Sequence, residues 1–155
     1  MSRDDIEFRE GTATQEDIQA HLEGCDANFS PRLSVKVEIG EYSRKISAKA
    51  RTFEAWFGGA LVGLVAAYLN DRGTRSGFVT NVSVAKAFMG RGIAAALLNR
   101  CLDRSRQEGM EAIGLEVSME SREAIRLYEK LGFLEHERKG ETVLMRLTIS
   151  EKRQS

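Results

Sequence analysis

Two periodicities of apolar and polar residues run through the chain, and they predict a mixture of strands and helices. Apolar residues alternate with polar ones over residues 6–10, which is the pattern of a half-buried strand. After Gly92 the apolar residues recur every three or four positions, which is the pattern of an amphipathic helix. The predicted strands cover residues 6–10, 52–57, 60–69, 76–84, 112–117, 133–139 and 142–149. The predicted helices cover residues 15–23, 38–50, 93 to about 107, and 121–131.

Capping residues mark several boundaries of these elements. Thr14 begins a T-x-x-D capping box ahead of the first helix. Gly109 and Gly132 are placed to end the third and fourth helices. The resulting order, β-α-α-β-β-β-α-β-α-β-β, predicts an α/β (α+β) fold. Because a helix joins the strands at 76–84 and 112–117, we expect these two strands to be parallel.

The length and composition fit one ordinary domain. The chain has 155 residues, of which 42% are hydrophobic and 30% are charged, and surface scaling allows roughly 70% of its surface to be buried. No repeat or linker divides it, so we expect a single domain over residues 1–155. The charged residues 151–155 are expected to form a frayed tail.

Charge and cysteine usage exclude several classes of protein. Twenty-three basic residues offset 23 acidic residues, so no overall positive field attracts nucleic acid or an anionic membrane. The N-terminus is too acidic for a signal peptide, and the apolar run at 60–69 is too short to span a membrane. Cys25 and Cys101 fit no metal-binding spacing. We therefore expect a soluble, cytoplasmic protein without a metal, a nucleic-acid partner or a membrane partner.

A glycine-containing turn between a strand and a helix is the first candidate site. Residues 90–92 read G-R-G and are followed by the small residues 94–96. The free amides at a helix start, together with the helix dipole, favour an anion such as a pyrophosphate. The alternative is a tight turn without a ligand, and the turn alone leaves both open. The chain has no G-K-[ST] sequence, which excludes a P-loop, and no G-x-G-x-x-G sequence, which disfavours a Rossmann dinucleotide site.

A second segment, L-E-V at 115–117 followed by L-Y-E-K-L-G-F at 127–133, lies further along the chain. Together the two segments resemble the GNAT (GCN5-related N-acetyltransferase) superfamily, in which R/Q-x-x-G-x-G/A follows a V-x-V strand. The resemblance covers about residues 6–149. It implies a central mixed, mostly antiparallel, splayed sheet of about seven strands flanked by about four helices. Met89 replaces the usual Arg or Gln, and Ser121 replaces the frequent Asn.

The resemblance also implies acetyl-CoA as co-substrate. Backbone amides of residues 90–95 would hold its pyrophosphate, and the edges of Val82 and Val84 would pair with the pantetheine amides. The acyl arm would enter where the two parallel strands splay apart. The implied coenzyme-binding residues are Val82, Val84, Met89, Gly90, Arg91, Gly92, Ile93, Ala94, Ala95 and Ser121.

Four polar side chains are candidates for contacts with the reacting groups. By resemblance, Tyr128 would protonate the departing thiolate; the alternative is an aromatic side chain that covers the helix–sheet junction. Glu116 would act as the base, through water or with a raised pKa; the alternative is a strand glutamate in an ion pair. Asn81 and Glu120 are candidates for binding the acceptor; the alternative for Asn81 is a hydrogen bond at a turn or strand edge.

The function implied is transfer of an acetyl group to a primary amine by direct attack in a ternary complex. One rival is a non-catalytic acyl-CoA-binding sensor or assembly module, and a second is a nucleic-acid or ribosome-interaction protein of similar fold. The acceptor stays open as a small-molecule or a protein amine, and the family implies a possible homodimer. Cys101 is expected in the core and Cys25 at the surface, while His21 and His136 are assigned to surface or satisfied structure.

Overall fold

The alternating and helical patterns fold into seven strands and five α-helices in a computed structural model that describes residues 5–149. The strands are β1 Glu7–Glu10, β2 Arg51–Phe57, β3 Ala60–Tyr68, β4 Ser76–Val84, β5 Ala112–Ser118, β6 Leu134–Lys139 and β7 Thr142–Thr148. The helices are α1 Gln15–Cys25, α2 Leu33–Lys36, α3 Ile39–Lys49, α4 Ile93–Gln107 and α5 Arg122–Leu131. The predicted α/β fold with a mixed seven-stranded sheet is confirmed. The tail predicted at 151–155 lies outside the described residues.

The helix count differs from the prediction by the one-turn helix α2. One turn contains no repeat of apolar positions, so hydrophobic periodicity has nothing to detect there. The backbone N–H of Ser34 donates to Asp26 Oδ1 over 2.7 Å, and Ser34 Oγ donates to Asp26 Oδ2 over 2.8 Å. Local polar contacts thus hold this segment in place.

The predicted caps form as expected. The Thr14 side chain accepts a hydrogen bond from the Asp17 backbone N–H, and the Asp17 carboxylate accepts one from the Thr14 backbone N–H, which completes the capping box. Gly132 follows α5 with φ +110°, a conformation that favours glycine. These caps fix where α1 begins and where α5 ends beside the sheet.

The sheet has the order β1-β2-β3-β4-β5-β7-β6. Its pairs are antiparallel except β4 with β5, which confirms the predicted parallel pair. These two strands pair only between Ser76–Val79 of β4 and 112–115 of β5. Beyond that point their C-terminal halves diverge and leave an opening in the sheet.

Each face of the sheet is covered by helices. On one face, Leu97 and Leu98 of α4 pack with Phe53 and Ile113. On the other face, Ile18 and Leu22 of α1 and Ile46 of α3 pack against Leu64. The opening between β4 and β5 therefore lies between two helical layers.

Candidate active site

A cleft of about 380 Å³ fills the opening between β4 and β5. On one face of the sheet it is lined by Phe29, by Leu33 of α2 and by Tyr42 of α3. On the opposite face it is lined by Ala124 and Tyr128 of α5. Since α3 and α5 cover opposite faces, the cleft runs through the sheet and is lined by residues from both faces.

The β4 edge of the cleft presents backbone hydrogen-bonding groups. The N–H of Ala85 donates to the Val62 carbonyl over 2.8 Å, and Val84 lies opposite Gly63 of β3. In an antiparallel ladder this makes Val84 a non-hydrogen-bonded position, whose N–H and C=O point away from β3. Val82, two residues earlier, has the same orientation. Because β5 has diverged, these groups face the cleft rather than a strand.

The glycine turn lies at the end of this edge. Gly90 and Gly92 both have φ +79°, and Gly92 precedes α4 without a side-chain cap. The first-turn amides of α4 therefore have no capping side chain from that position. The turn residues 90–93 line a depression beside the cleft, together with Ile6, Phe8 and Ala96. The half-buried Ala94 and Ala95 continue the first turn of α4.

Met89 and Arg91 flank the turn on different sides. Met89 is 49% exposed and lines the main cleft. The Arg91 guanidinium carbon lies 5.0 Å from the centre of the Phe88 ring, a cation–π distance. Arg91 thus places a positive charge next to the uncapped amides, which favours an anion.

Tyr128 is buried against the sheet and also lines the cleft. Its ring packs edge-on against Phe133, with 6.0 Å between ring centroids. Within residues 5–149 its hydroxyl makes no hydrogen bond. Burial raises the pKa of Tyr128 to about 12, so at neutral pH the group is a hydrogen-bond donor.

Glu116 lies on β5 and is exposed to the cleft. Its neighbours Leu115 and Val117 pack into the core beneath α4, and strand alternation therefore turns Glu116 to the opposite face. Among the described residues its carboxylate makes no ion pair, unlike the strand glutamate of the alternative interpretation. The structure thus places Glu116 and Tyr128 on the same cleft, from opposite faces of the sheet.

The remaining predicted residues lie around the same opening. Asn81 is buried beside Ser83, lines the cleft and lies on the face that α1 and α3 cover. Glu120 accepts a hydrogen bond from Ser30 Oγ over 3.2 Å, which links the β5–α5 loop to the loop ahead of α2. The Ser121 side chain makes no capping bond to α5 and lines the cleft.

Sequence patterns did not identify the residues that α1 and α3 contribute to this site. The Tyr42 hydroxyl donates to the Thr80 carbonyl over 2.6 Å, and His21 contacts Ser83 across 62 residues of sequence. No local spacing signals contacts of that range. The assignment of His21 to satisfied structure is consistent with two polar contacts of its ring.

The structure confirms the predicted burial of one cysteine and contradicts the predicted exposure of the other. Cys101 is fully buried, as predicted, and burial raises the pKa of its thiol to about 12. The prediction of an exposed Cys25 is wrong: its side chain is 1% exposed because it faces the interior at the end of α1. Burial raises the pKa of the Cys25 thiol to about 11, so it is a poor nucleophile at neutral pH.

The fold and cleft define an α/β protein with a splayed sheet and a cleft lined from both of its faces. Residues 16–133 match the family model described as "Acetyltransferase (GNAT) family". The match covers more than half of the chain, and the protein belongs to the GNAT family. In the part of the chain that the structure describes, no helix has the length and apolarity needed to cross a membrane.

Similar proteins include enzymes with different acceptors in their names. The chain is 33% identical over 87 residues to N-alpha-acetyltransferase MAK3 of Arabidopsis thaliana, a match that covers 56% of this chain and 46% of that protein. It is 28% identical over 141 residues to glucosamine 6-phosphate N-acetyltransferase of Trypanosoma brucei brucei, covering 86% and 92%. Thus the chain spans only about half of MAK3.

A solved structure supports the fold assignment. The PaiA N-acetyltransferase of Thermoplasma acidophilum, crystallised with coenzyme A, superimposes with a TM-score of 0.75 at 16% identity. The superposition covers 96% of this chain and 99% of that chain. At this identity the likeness establishes the fold alone.

Proposed function

We propose that the protein is an acyl-CoA-dependent N-acetyltransferase that transfers an acetyl group from acetyl-CoA to a primary amine. The observation that carries this proposal is the cleft through the sheet, which is lined by residues from both faces. Such a cleft suits a ternary complex in which the amine attacks the thioester directly. Membership of the GNAT family and the coenzyme A complex of the PaiA neighbour support the same proposal.

The cofactor follows the edge of β4. The cleft-facing N–H and C=O groups of Val82 and Val84 pair with the pantetheine amides as an added strand would. The pyrophosphate then lies on the amides of residues 90–95, with the positive charge of Arg91 beside it. Ile93 sits beneath this turn, and Met89 and Ser121 border the acyl arm.

Two side chains act on the reacting groups. The amine lone pair attacks the thioester carbonyl carbon, a C–N bond forms, and the C–S bond breaks with the electron pair leaving on sulfur. Tyr128 donates its proton to that sulfur. Glu116 accepts the proton released by the amine, through a bridging water. The products are an N-acetylated amine and the free thiol of coenzyme A.

The acceptor enters on the face covered by α1 to α3. Asn81 lines that side of the cleft and Glu120 lies near its rim. The names of MAK3 and of the glucosamine 6-phosphate enzyme point to two acceptor classes, an α-amine and an amino sugar. Both are primary amines, and both belong in the first panel together with lysine ε-amines and polyamines.

The first test combines calorimetry with a turnover assay. The protein is titrated with acetyl-CoA, and thiol release is then measured with each amine of the panel. Binding followed by thiol release with one class of amine supports the proposal. Binding without release across the panel favours the non-catalytic sensor, which the departures at Met89 and Ser121 motivate. An absence of acetyl-CoA binding contradicts the proposal.

A further inference from the structure

A chain of buried polar groups connects α1 to the acceptor side of the cleft. His21 Nδ1 lies 3.1 Å from the Leu61 carbonyl oxygen, and His21 Nε2 lies 2.9 Å from Ser83 Oγ. Ser83 Oγ in turn lies 2.7 Å from the Oδ1 position of the Asn81 carboxamide. All three side chains are buried, so each needs a consistent set of donors and acceptors.

The protonation state of the His21 imidazole determines which groups donate and which accept in this series of hydrogen bonds. A carbonyl oxygen only accepts, so His21 Nδ1 carries a hydrogen and donates to Leu61. Among the described residues, the other polar neighbours of the ring are Ser83, through its Oγ and its backbone, and the neutral Cys25 thiol, 3.7 Å from Nε2, and none of them is an anion that would stabilise an imidazolium. Burial lowers the pKa of His21 to about 4. The ring is therefore neutral at pH 7, and its Nε2 is an acceptor.

The orientation of the carboxamide follows from the single hydroxyl hydrogen of Ser83. Because Nε2 is an acceptor, Ser83 donates to His21. It then has no hydrogen left for Asn81, so the Asn81 atom that faces it must donate. The two ends of a carboxamide are distinguished by the hydrogen bonds they make. The amide nitrogen thus faces Ser83, and the carbonyl oxygen takes the other position, on the side of the cleft that the neighbouring Tyr42 hydroxyl also lines.

The geometry points to His21 and Ser83 as positioning residues that turn the Asn81 carbonyl oxygen into the cleft, where it accepts a hydrogen bond from the N–H of the acceptor amine. This inference rests on the proposed acetyl transfer. An acceptor oxygen orients an attacking amine, since the amine's hydrogens point toward Asn81 and its lone pair is directed elsewhere. The reversed carboxamide would present its own N–H groups and would not bind the amine in this way.

The tautomer of His21 tests the inferred orientation of the Asn81 carboxamide without an activity assay. His21 and His136 are the only histidines, so a His136→Gln variant leaves one imidazole to observe. Its ¹⁵N chemical shifts distinguish a neutral ring protonated on Nδ1 from one protonated on Nε2 and from an imidazolium. We expect the Nδ1–H form at pH 7. Either of the other two forms overturns the inferred direction of the chain.

Steady-state kinetics test whether Ser83 positions Asn81 to bind the acceptor amine. Ser83→Ala frees the Asn81 carboxamide, and we expect the KM for the amine to rise about tenfold, the effect of one hydrogen bond. The KM for acetyl-CoA should stay within about twofold. Ser43→Ala is the matched control, because Ser43 is fully buried and its Oγ has no partner among the described residues.

The outcomes separate this inference from the proposed function. Equal KM values for the amine in wild type and Ser83→Ala overturn the positioning role, as does a parallel rise in the KM for acetyl-CoA. Melting temperatures of both serine variants show whether a loss of folding accounts for the change. If the wild-type protein acetylates no amine, the proposed function fails and the role toward an amine fails with it. The tautomer still reports the orientation of Asn81 in that case.

Discussion

Glu54 on β2 and Asn81 on β4 are both polar side chains buried in the same sheet, but their surroundings differ. The Glu54 carboxylate is 0% exposed and accepts five hydrogen bonds. Its donors are Thr12 N and Oγ1, Ala13 N, Thr52 Oγ1 and Trp56 Nε1. Asn81 bonds to Ser83 and borders the cleft. The Glu54 carboxylate is enclosed by protein donors, whereas the Asn81 carboxamide lies between Ser83, Tyr42 and the open cleft.

The pairing of the strands explains this difference. β2 pairs with β3 along its whole length, and the segment ahead of α1 closes over Glu54. β4 pairs with β5 over only four residues, so polar groups beyond that point meet a cleft. We therefore expect substitutions around Glu54 to lower stability and substitutions around the cleft to lower activity.

Glu54→Gln is expected to have the largest effect, a loss of about 3 kcal/mol in the free energy of unfolding. An amide places its own N–H groups against donors that a carboxylate accepts from, and it removes the charge that strengthens those bonds. Urea unfolding at pH 7 measures the change. Glu129→Gln, at an exposed position of α5, is the control and should change stability by less than about 0.5 kcal/mol.

The pH dependence of the stability lost in Glu54→Gln gives a second test of the Glu54 hydrogen bonds. Burial opposes ionisation of Glu54, but the hydrogen bonds from Thr12, Thr52, Ala13 and Trp56 outweigh it and lower the pKa of the carboxyl. A lowered pKa adds stability above the unfolded-state pKa of about 4.3, and this stability is lost as the pH falls through the folded-state value. The gap between wild type and Glu54→Gln should therefore narrow below about pH 4. A stability difference that stays constant across this pH range would show that the ionised form of Glu54 is not what these hydrogen bonds stabilise.

The sequence predicted the regular elements better than the polar clusters. β4 was predicted and observed at Ser76–Val84, and α4 at Ile93–Gln107, because long periodic segments signal their own conformation. Glu54 gave no such signal, since Thr12 lies 42 residues away.

The same limit applies to the site. Local motifs located Tyr128, Glu116 and the turn at 90–92, all of which border the cleft or its adjacent depression. The contact of His21 with Ser83 depends on how α1 packs against β4, and packing of that kind is not encoded in a short motif. The surroundings of the acceptor therefore required the three-dimensional structure.

Tyr128→Phe is expected to lower kcat about 100-fold, the effect of removing a general acid, with little change in the KM for acetyl-CoA. Stability should change little, because the hydroxyl has no hydrogen-bond partner among the described residues. Tyr68→Phe is the matched control, since Tyr68 ends β3 and does not line the cleft. Intact turnover in Tyr128→Phe would show that the side chain only covers the helix–sheet junction.

Gly92→Val is expected to weaken acetyl-CoA binding about 30-fold, because a branched side chain disfavours φ +79° and projects into the open space that the pyrophosphate would occupy. Gly140→Val is the matched control. Gly140 also has a positive φ, +60°, with no atom within 4 Å of an added Cβ, but it lies in the β6–β7 turn. Similar melting temperatures with unequal affinities, measured by calorimetry, would support the pyrophosphate cradle. Equal acetyl-CoA affinities would refute it.

Glu116→Gln is expected to have the smallest effect, about a tenfold fall in kcat, since water can replace a base that acts through water. The free energy of unfolding should not change, because the carboxylate makes no ion pair within residues 5–149. Glu137→Gln, on the exposed strand β6, is the control.

Glu116 and Glu54 are both strand glutamates, so their variants can be compared directly. Glu54→Gln should reduce stability, and Glu116→Gln should reduce turnover alone. A loss of stability in Glu116→Gln with unchanged kcat would assign Glu116 a structural role and remove the difference between the paired and the splayed parts of the sheet.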